Sequence, residues 1–219
     1  MANCTNGRSA PGFAAPVPGA VRSGFPGRSK RNPNMSLKVE SLEIEDVKLL
    51  TPARFTDERG YFSETFKKQA LIEAGITADF IQDNQSLSVE KGTVRGLHYQ
   101  APPFAQAKLV RALSGAILDV VVDVRAGSPT YGKWVKAEIS AANGVQIFVP
   151  RGFLHGFVTL EPDTVILYKV DAPYSRDHDG AVFWNDSDLG IDWGIAESEA
   201  VVSAKDAVAI GFAEFKSPF

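Results

Sequence analysis

Two glycine-led segments, GTVRGLHYQ (Gly92–Gln100) and GVQIFVPRGFLHGF (Gly144–Phe157), hold two of the chain's three histidines, His98 and His155. In the first, five residues separate Gly92 from His98. In the second, five residues separate Gly144 from Pro150, with Gly152 and His155 following. Outward from this pair the chain reads mostly as short strands. KWVKAEIS (133–140) alternates apolar Val135, Ala137 and Ile139 with Lys136, Glu138 and Ser140, the pattern of a half-buried strand. AILDVVVDVR (116–125) and VILYKV (165–170) are β-branched and bounded by Gly, Pro or Asp turn signals. One helix is expected over 67–75, ending at Gly75, and a weaker one after Val202. Many short, closely spaced strands predict an all-β sandwich or barrel with a few short helices.

The two histidine segments resemble the two sequence motifs of the cupin superfamily, which implies a jelly roll. Metal-binding cupins use three histidines and a carboxylate. Here Gln100 stands where the second histidine of the first motif belongs, and the APPFAQ stretch that follows lacks the glutamate. A neutral amide is a weak ligand for transition metals, so no metal site is expected. His178, in SRDHDG, reads as a solvated loop residue.

Composition narrows the classes. A chain of 219 residues can bury one sizeable core, and no apolar run approaches the roughly 20 residues needed to span a bilayer. The single cysteine, Cys4, excludes an intramolecular disulfide framework and suits a reducing cytoplasm. Residues 1–35 are rich in Gly, Pro, Ser and Arg, contain five basic residues and no acid, and read as a disordered extension. Scattered Arg and Ser without acid also resemble an organellar transit peptide, although Gly and Pro are too frequent for an amphipathic helix. Met35 is the favoured natural start, ahead of a single folded domain over 36–219. Without those five, 18 basic residues face 26 acidic ones, so the remainder carries about −8. An acidic body argues against a nucleic-acid partner.

A longer ordered set narrows the family. DERGYFSETF (57–66), FIQDNQS (80–86), RGLHYQ (95–100), AQAKLVR (105–111), DVRAGSPTYGKW (123–134), VPRGFLHGF (149–157), LYK (167–169), YSRDHDG (174–180), WND (184–186) and SAKDA (203–207) follow one another. The set resembles the dTDP-4-dehydrorhamnose 3,5-epimerases, a metal-independent branch of the cupins. The resemblance implies inversion of C3 and C5 of a dTDP-4-keto-6-deoxyhexose. Both hydrogens are α to the C4 ketone, so each can leave to give an enolate without a cofactor. The protein must supply a base, a positive group at O4 and an acid on the opposite face.

By this resemblance His98 is the base, oriented by Asp206; Lys108 faces the O4 enolate; and Tyr168 is the acid. An imidazole's ordinary pKa of about 6.5 suits a base. Taken alone, Lys108 would be a surface lysine and Tyr168 a core tyrosine. Arg59 and Arg95 suit the diphosphate, because a guanidinium forks onto phosphate oxygens. Glu64, Gln82, Asp83 and Asn84 are expected at the thymidine, Tyr174 against the base, and His155 and Lys205 on the ligand. Asp179 stands where the family usually has glutamate, and Arg176 where it usually has proline. Phe55, Phe62 and Trp134 suit either pocket or core. The resemblance also implies a homodimer, with the N-terminal strand region joining the partner's sheet, and a cytoplasmic location without a membrane partner. The alternatives are a single-centre C3 or C5 epimerase, a metal-dependent cupin, and a non-catalytic sugar-nucleotide-binding module.

Overall fold

The computed structural model describes residues 37–219, so the readings of Cys4, of 1–35 as a disordered extension and of Met35 as the start lie outside the described residues. In chain order the strands are β1 (Leu37–Ser41), β2 (Lys48–Pro52), β3 (Phe55–Asp57), β4 (Gly60–Phe62), β5 (Gln82–Ser88), β6 (Thr93–Gln100), β7 (Lys108–Ser114), β8 (Ala116–Asp123), β9 (Trp134–Ser140), β10 (Gln146–Val149), β11 (Phe153–Thr159), β12 (Thr164–Val170), β13 (Asp179–Ala181) and β14 (Val201–Val202). Two short α-helices join them, α1 (Lys68–Glu73) and α2 (Ala204–Ala207). The helix expected over 67–75 is α1, and Gly75, at φ +79°, ends it. None of the helices is long and apolar enough to cross a membrane, a statement confined to the described residues.

Two sheets face each other as a jelly roll. One runs β1-β2-β10-β7-β12-β5; the other runs β13-β6-β11-β8-β9, with β14 paired in parallel to β6. Strand alternation sends every second side chain between the sheets. Val110, Ala112, Ile147 and Ile166 thereby meet Ile117, Val121, Ile139 and Phe153 in the central core. The other face of β6, β8 and β11 is equally apolar. Val94, Leu97, Val120, Val122 and Leu154 are covered by the C-terminal segment through Trp184, Leu189, Ile191, Trp193 and Phe215. This double burial explains the near-continuous apolar run of β8, where simple alternation is lost.

One irregularity aligns the histidine strands. Between β6 and β11 the register shifts from His155↔His98 to Phe157↔Arg95, so Gly96 and Leu97 oppose the single residue Gly156. A regular strand would send Arg95 and His98, three apart, to opposite faces. The bulge reverses the alternation, so Leu97 joins Val94 in the outer apolar layer while Arg95 and His98 both face between the sheets. Only glycines permit it. A Cβ on Gly96, at φ +130°, would lie 2.6 Å from Gly156 Cα and 2.8 Å from the His155 carbonyl oxygen. A Cβ on Gly156 would lie 2.9 Å from the Arg95 carbonyl oxygen. We expect Gly96→Ala to cost about 2 kcal/mol or more in stability, measured by urea denaturation. A variant as stable as the unsubstituted protein would show that the bulge tolerates a side chain.

Candidate active site

A pocket of about 460 Å³ is lined by residues of both sheets. His98 and Arg95 enter it from β6, His155 from β11, Lys108 from β7, Tyr168 from β12, and Lys205 and Asp206 from α2. Ser203 caps α2, its hydroxyl accepting from the Asp206 amide at 3.1 Å, and this turn aims the Asp206 carboxylate at β6.

His98 Nε2 lies 2.7 Å from Asp206 Oδ1, with the imidazole 32% exposed and the carboxylate 5% exposed. Burial alone would raise the Asp206 pKa, but hydrogen bonds from His98, Ser203 and the Gly96 amide outweigh it and keep the group an anion. A second pair lies behind: His155 Nε2 is 2.8 Å from Asp119 Oδ2. Burial pushes the His155 pKa down against the pull of Asp119, which favours a neutral ring. His98 and His155 are direct cross-strand partners, so the two pairs share one wall.

Tyr168 comes from the facing sheet. Burial raises its phenol pKa, outweighing Arg95 and Asn84, so the hydroxyl keeps its proton at neutral pH. The Lys108 ammonium forms no hydrogen bond or ion pair among the described residues, and burial pushes its pKa down to about 8 despite Asp119 and Asp179. Arg95 Nε donates to Ser88 Oγ at 3.1 Å and Nη2 to the Leu87 carbonyl at 3.0 Å, which angles the guanidinium along β5. The pocket therefore combines an oriented imidazole, a protonated phenol on the facing wall, a weakly held ammonium and an arginine. That set can remove a proton, stabilise an oxyanion and return a proton from the other side.

The family model described as dTDP-4-dehydrorhamnose 3,5-epimerase matches residues 41–214. The chain belongs to the dTDP-4-dehydrorhamnose 3,5-epimerase family. It is 57% identical over 154 residues to the enzyme of that name from Sinorhizobium fredii (strain NBRC 101917 / NGR234), covering 70% of this chain and 79% of the relative. The crystal structure of the Bacillus anthracis str. Ames 3,5-epimerase with TDP and PPi bound superposes with a TM-score of 0.78 at 46% identity, covering 80% of this chain and 99% of that one. The dTDP-6-deoxy-D-glucose-3,5-epimerase of Legionella pneumophila Philadelphia 1, in complex with dTDP-4-keto-L-rhamnose, gives 0.78 at 39% identity, covering 82% and 95%.

For an epimerase-family pocket, several expected residues lie elsewhere. Arg59 sits at the β3–β4 turn, 89% exposed and paired with Asp57 at 2.6 Å; it does not line this chain's pocket. Glu64 is exposed beside α1, at a separate small cavity. Asp83 points to the outer face of β5 and pairs with Lys169 at 2.7 Å. Gln82 donates to Asn84 at 2.8 Å, and Asn84 bonds Tyr168, so these two amides brace the phenol. Tyr174 is exposed, its hydroxyl 3.5 Å from Asp179 Oδ2. Asp179 accepts from Lys205, joining β13 to α2, and is not itself among the residues that line the pocket. Phe55 and Phe62 are exposed on the hairpin, and Trp134 packs in the outer apolar layer with Nε1 on the Leu189 carbonyl.

His178 is a correction: it is half-buried, hydrogen-bonded to Ser175 Oγ at 2.7 Å and packed on Phe104. Gln100 is buried and spent on the backbone. Its amide nitrogen donates to the Phe104 and Pro173 carbonyls, and its oxygen accepts from the Ser175 amide. Among the described residues no group of three or more His, Cys, Asp or Glu is placed to hold a metal ion. Asp119 escaped sequence reading, although an acid inside the apolar run AILDVVVD was a usable signal. A carbon-13 titration of lysine Cε signals should show one lysine with a midpoint near 8, absent in Lys108→Met; all midpoints above 10 would refute the assignment.

Proposed function

We propose that this chain inverts C3 and C5 of dTDP-4-dehydro-6-deoxy-D-glucose to give dTDP-4-dehydro-L-rhamnose by proton transfer through an enolate. The observation that carries the reading is the His98–Asp206 pair facing Tyr168 across one pocket, with Lys108 in the wall between. Asp206 engages Nε2, so Nδ1 of His98 is the nitrogen that takes the proton α to the ketone. Asp206 then stabilises the imidazolium. The electron pair moves into the carbonyl, and the Lys108 ammonium meets the charge on O4. Tyr168, protonated and on the facing sheet, returns a proton to the opposite face of the carbon. Because C3 and C5 flank the same carbonyl, one base, one cation and one acid serve both centres.

Arg95 is our choice for the diphosphate within the chain's own pocket. Arg59, Glu64 and the exposed aromatic side chains of the β3–β4 hairpin suit a homodimer in which this region reaches the partner's ligand. The substrate is a nucleotide sugar, and we place the reaction in the cytoplasm. His98→Ala should lower kcat by about 10²–10⁴-fold and keep dTDP binding, measured by calorimetry; an active variant would remove His98 from the role of base. Incubation in deuterated water should label product at both C3 and C5, read by NMR. Label at C3 alone would reduce the reaction to a single-centre epimerisation.

A further inference from the structure

Asp119 is left unused by this scheme. It is fully buried on β8, and Oδ2 binds His155. Its other oxygen, Oδ1, is the one buried side-chain nitrogen or oxygen without a hydrogen-bond partner among the described residues. An interior carboxylate oxygen lacking a donor opposes folding, so stability does not explain an acid at this position. Lys108 has the complementary deficiency, a cation in the pocket wall with no hydrogen bond or ion pair among the described residues. Among the charges that favour its protonated form, Asp119 ranks first and Asp179 second. Asp179 is already matched by Lys205, whereas Asp119 has only an imidazole.

We propose that Asp119 is a positioning residue whose buried charge holds Lys108 as the ammonium that meets the enolate oxygen, while its bond to His155 Nε2 leaves Nδ1 as that ring's free acceptor. The role in turnover rests on the epimerase reading; the effect on Lys108 does not. The titratable and charged groups around Lys108 are Asp119 from β8, His155 from β11, Arg95 and His98 from β6, Lys205 and Asp206 from α2, Asp179 from β13 and Tyr168 from β12. Tyr168 stays neutral where Lys108 titrates, and Asp179 and Asp206 each have a cationic or imidazole partner. Burial lowers the pH above which the ammonium is lost, and Asp119 opposes that loss. Removing it moves that point toward acid.

Asp119→Asn tests this without substrate. The Lys108 Cε midpoint should fall by about one pH unit, and the alkaline limb of kcat should fall with it, while KM stays within about twofold. A structural role alone would lower kcat at every pH and leave the midpoint and limb in place; that outcome overturns the proposal. If the variant does not fold, the unsubstituted protein decides. The Asp119 carboxylate carbon signal should shift with the same midpoint as Lys108 Cε, and a carboxylate indifferent to Lys108 also overturns it. Absence of deuterium incorporation by the unsubstituted protein would strike the epimerase reading and leave the titration result standing.

Discussion

The contact between Gly96 and Gly156 governs the site. Two backbones approach so closely there that a methyl group on either strand would meet backbone atoms within 3 Å. That approach accommodates the extra residue of β6, and the extra residue turns Arg95 and His98 to the same side. Leu97 is sent the other way, into a layer sealed by the C-terminal tryptophans. The same local geometry thus supplies the pocket's His98, its arginine and part of its structural backing.

The pocket uses one chemical unit twice, with different results. His98–Asp206 is partly open to solvent, and hydrogen bonds hold the carboxylate anionic. His155–Asp119 is buried, and desolvation favours the uncharged imidazole. Environment, not residue type, separates the two. Lys108 and Tyr168 show the same principle in opposite senses. Burial disfavours the charged form of each, which weakens the lysine's hold on its proton and strengthens the phenol's.

Gln100 shows how a motif position can be turned to a new use. Its strand geometry matches the cupin frame, yet its amide joins the loop at Phe104 to the segment at Pro173 and Ser175. A histidine could not supply the same combination of two donated bonds and one accepted bond from a single planar group. The residue therefore ties the loop after β6 to the segment that leads into β13.

Strand positions, the short helix ended by Gly75 and an all-β sandwich or barrel were legible from the sequence, because alternation, β-branching and turn residues are local signals; the jelly roll was legible only through the cupin resemblance. His98, Lys108, Tyr168 and Asp206 were legible only through their ordered motifs, since no local property brings Ser203–Ala207 beside β6. The sequence alone determined which residue types were available: three histidines, a glutamine in place of a fourth, and an acid within an apolar strand. Tertiary structure decided which of them share a space. It placed Arg59 and Glu64 outside this chain's pocket, turned Gln82 and Asn84 into supports for Tyr168, and buried Asp119 against His155. The reason is that side-chain direction depends on register, register on one bulge, and pKa on burial, and each of these arises only when distant strands pack.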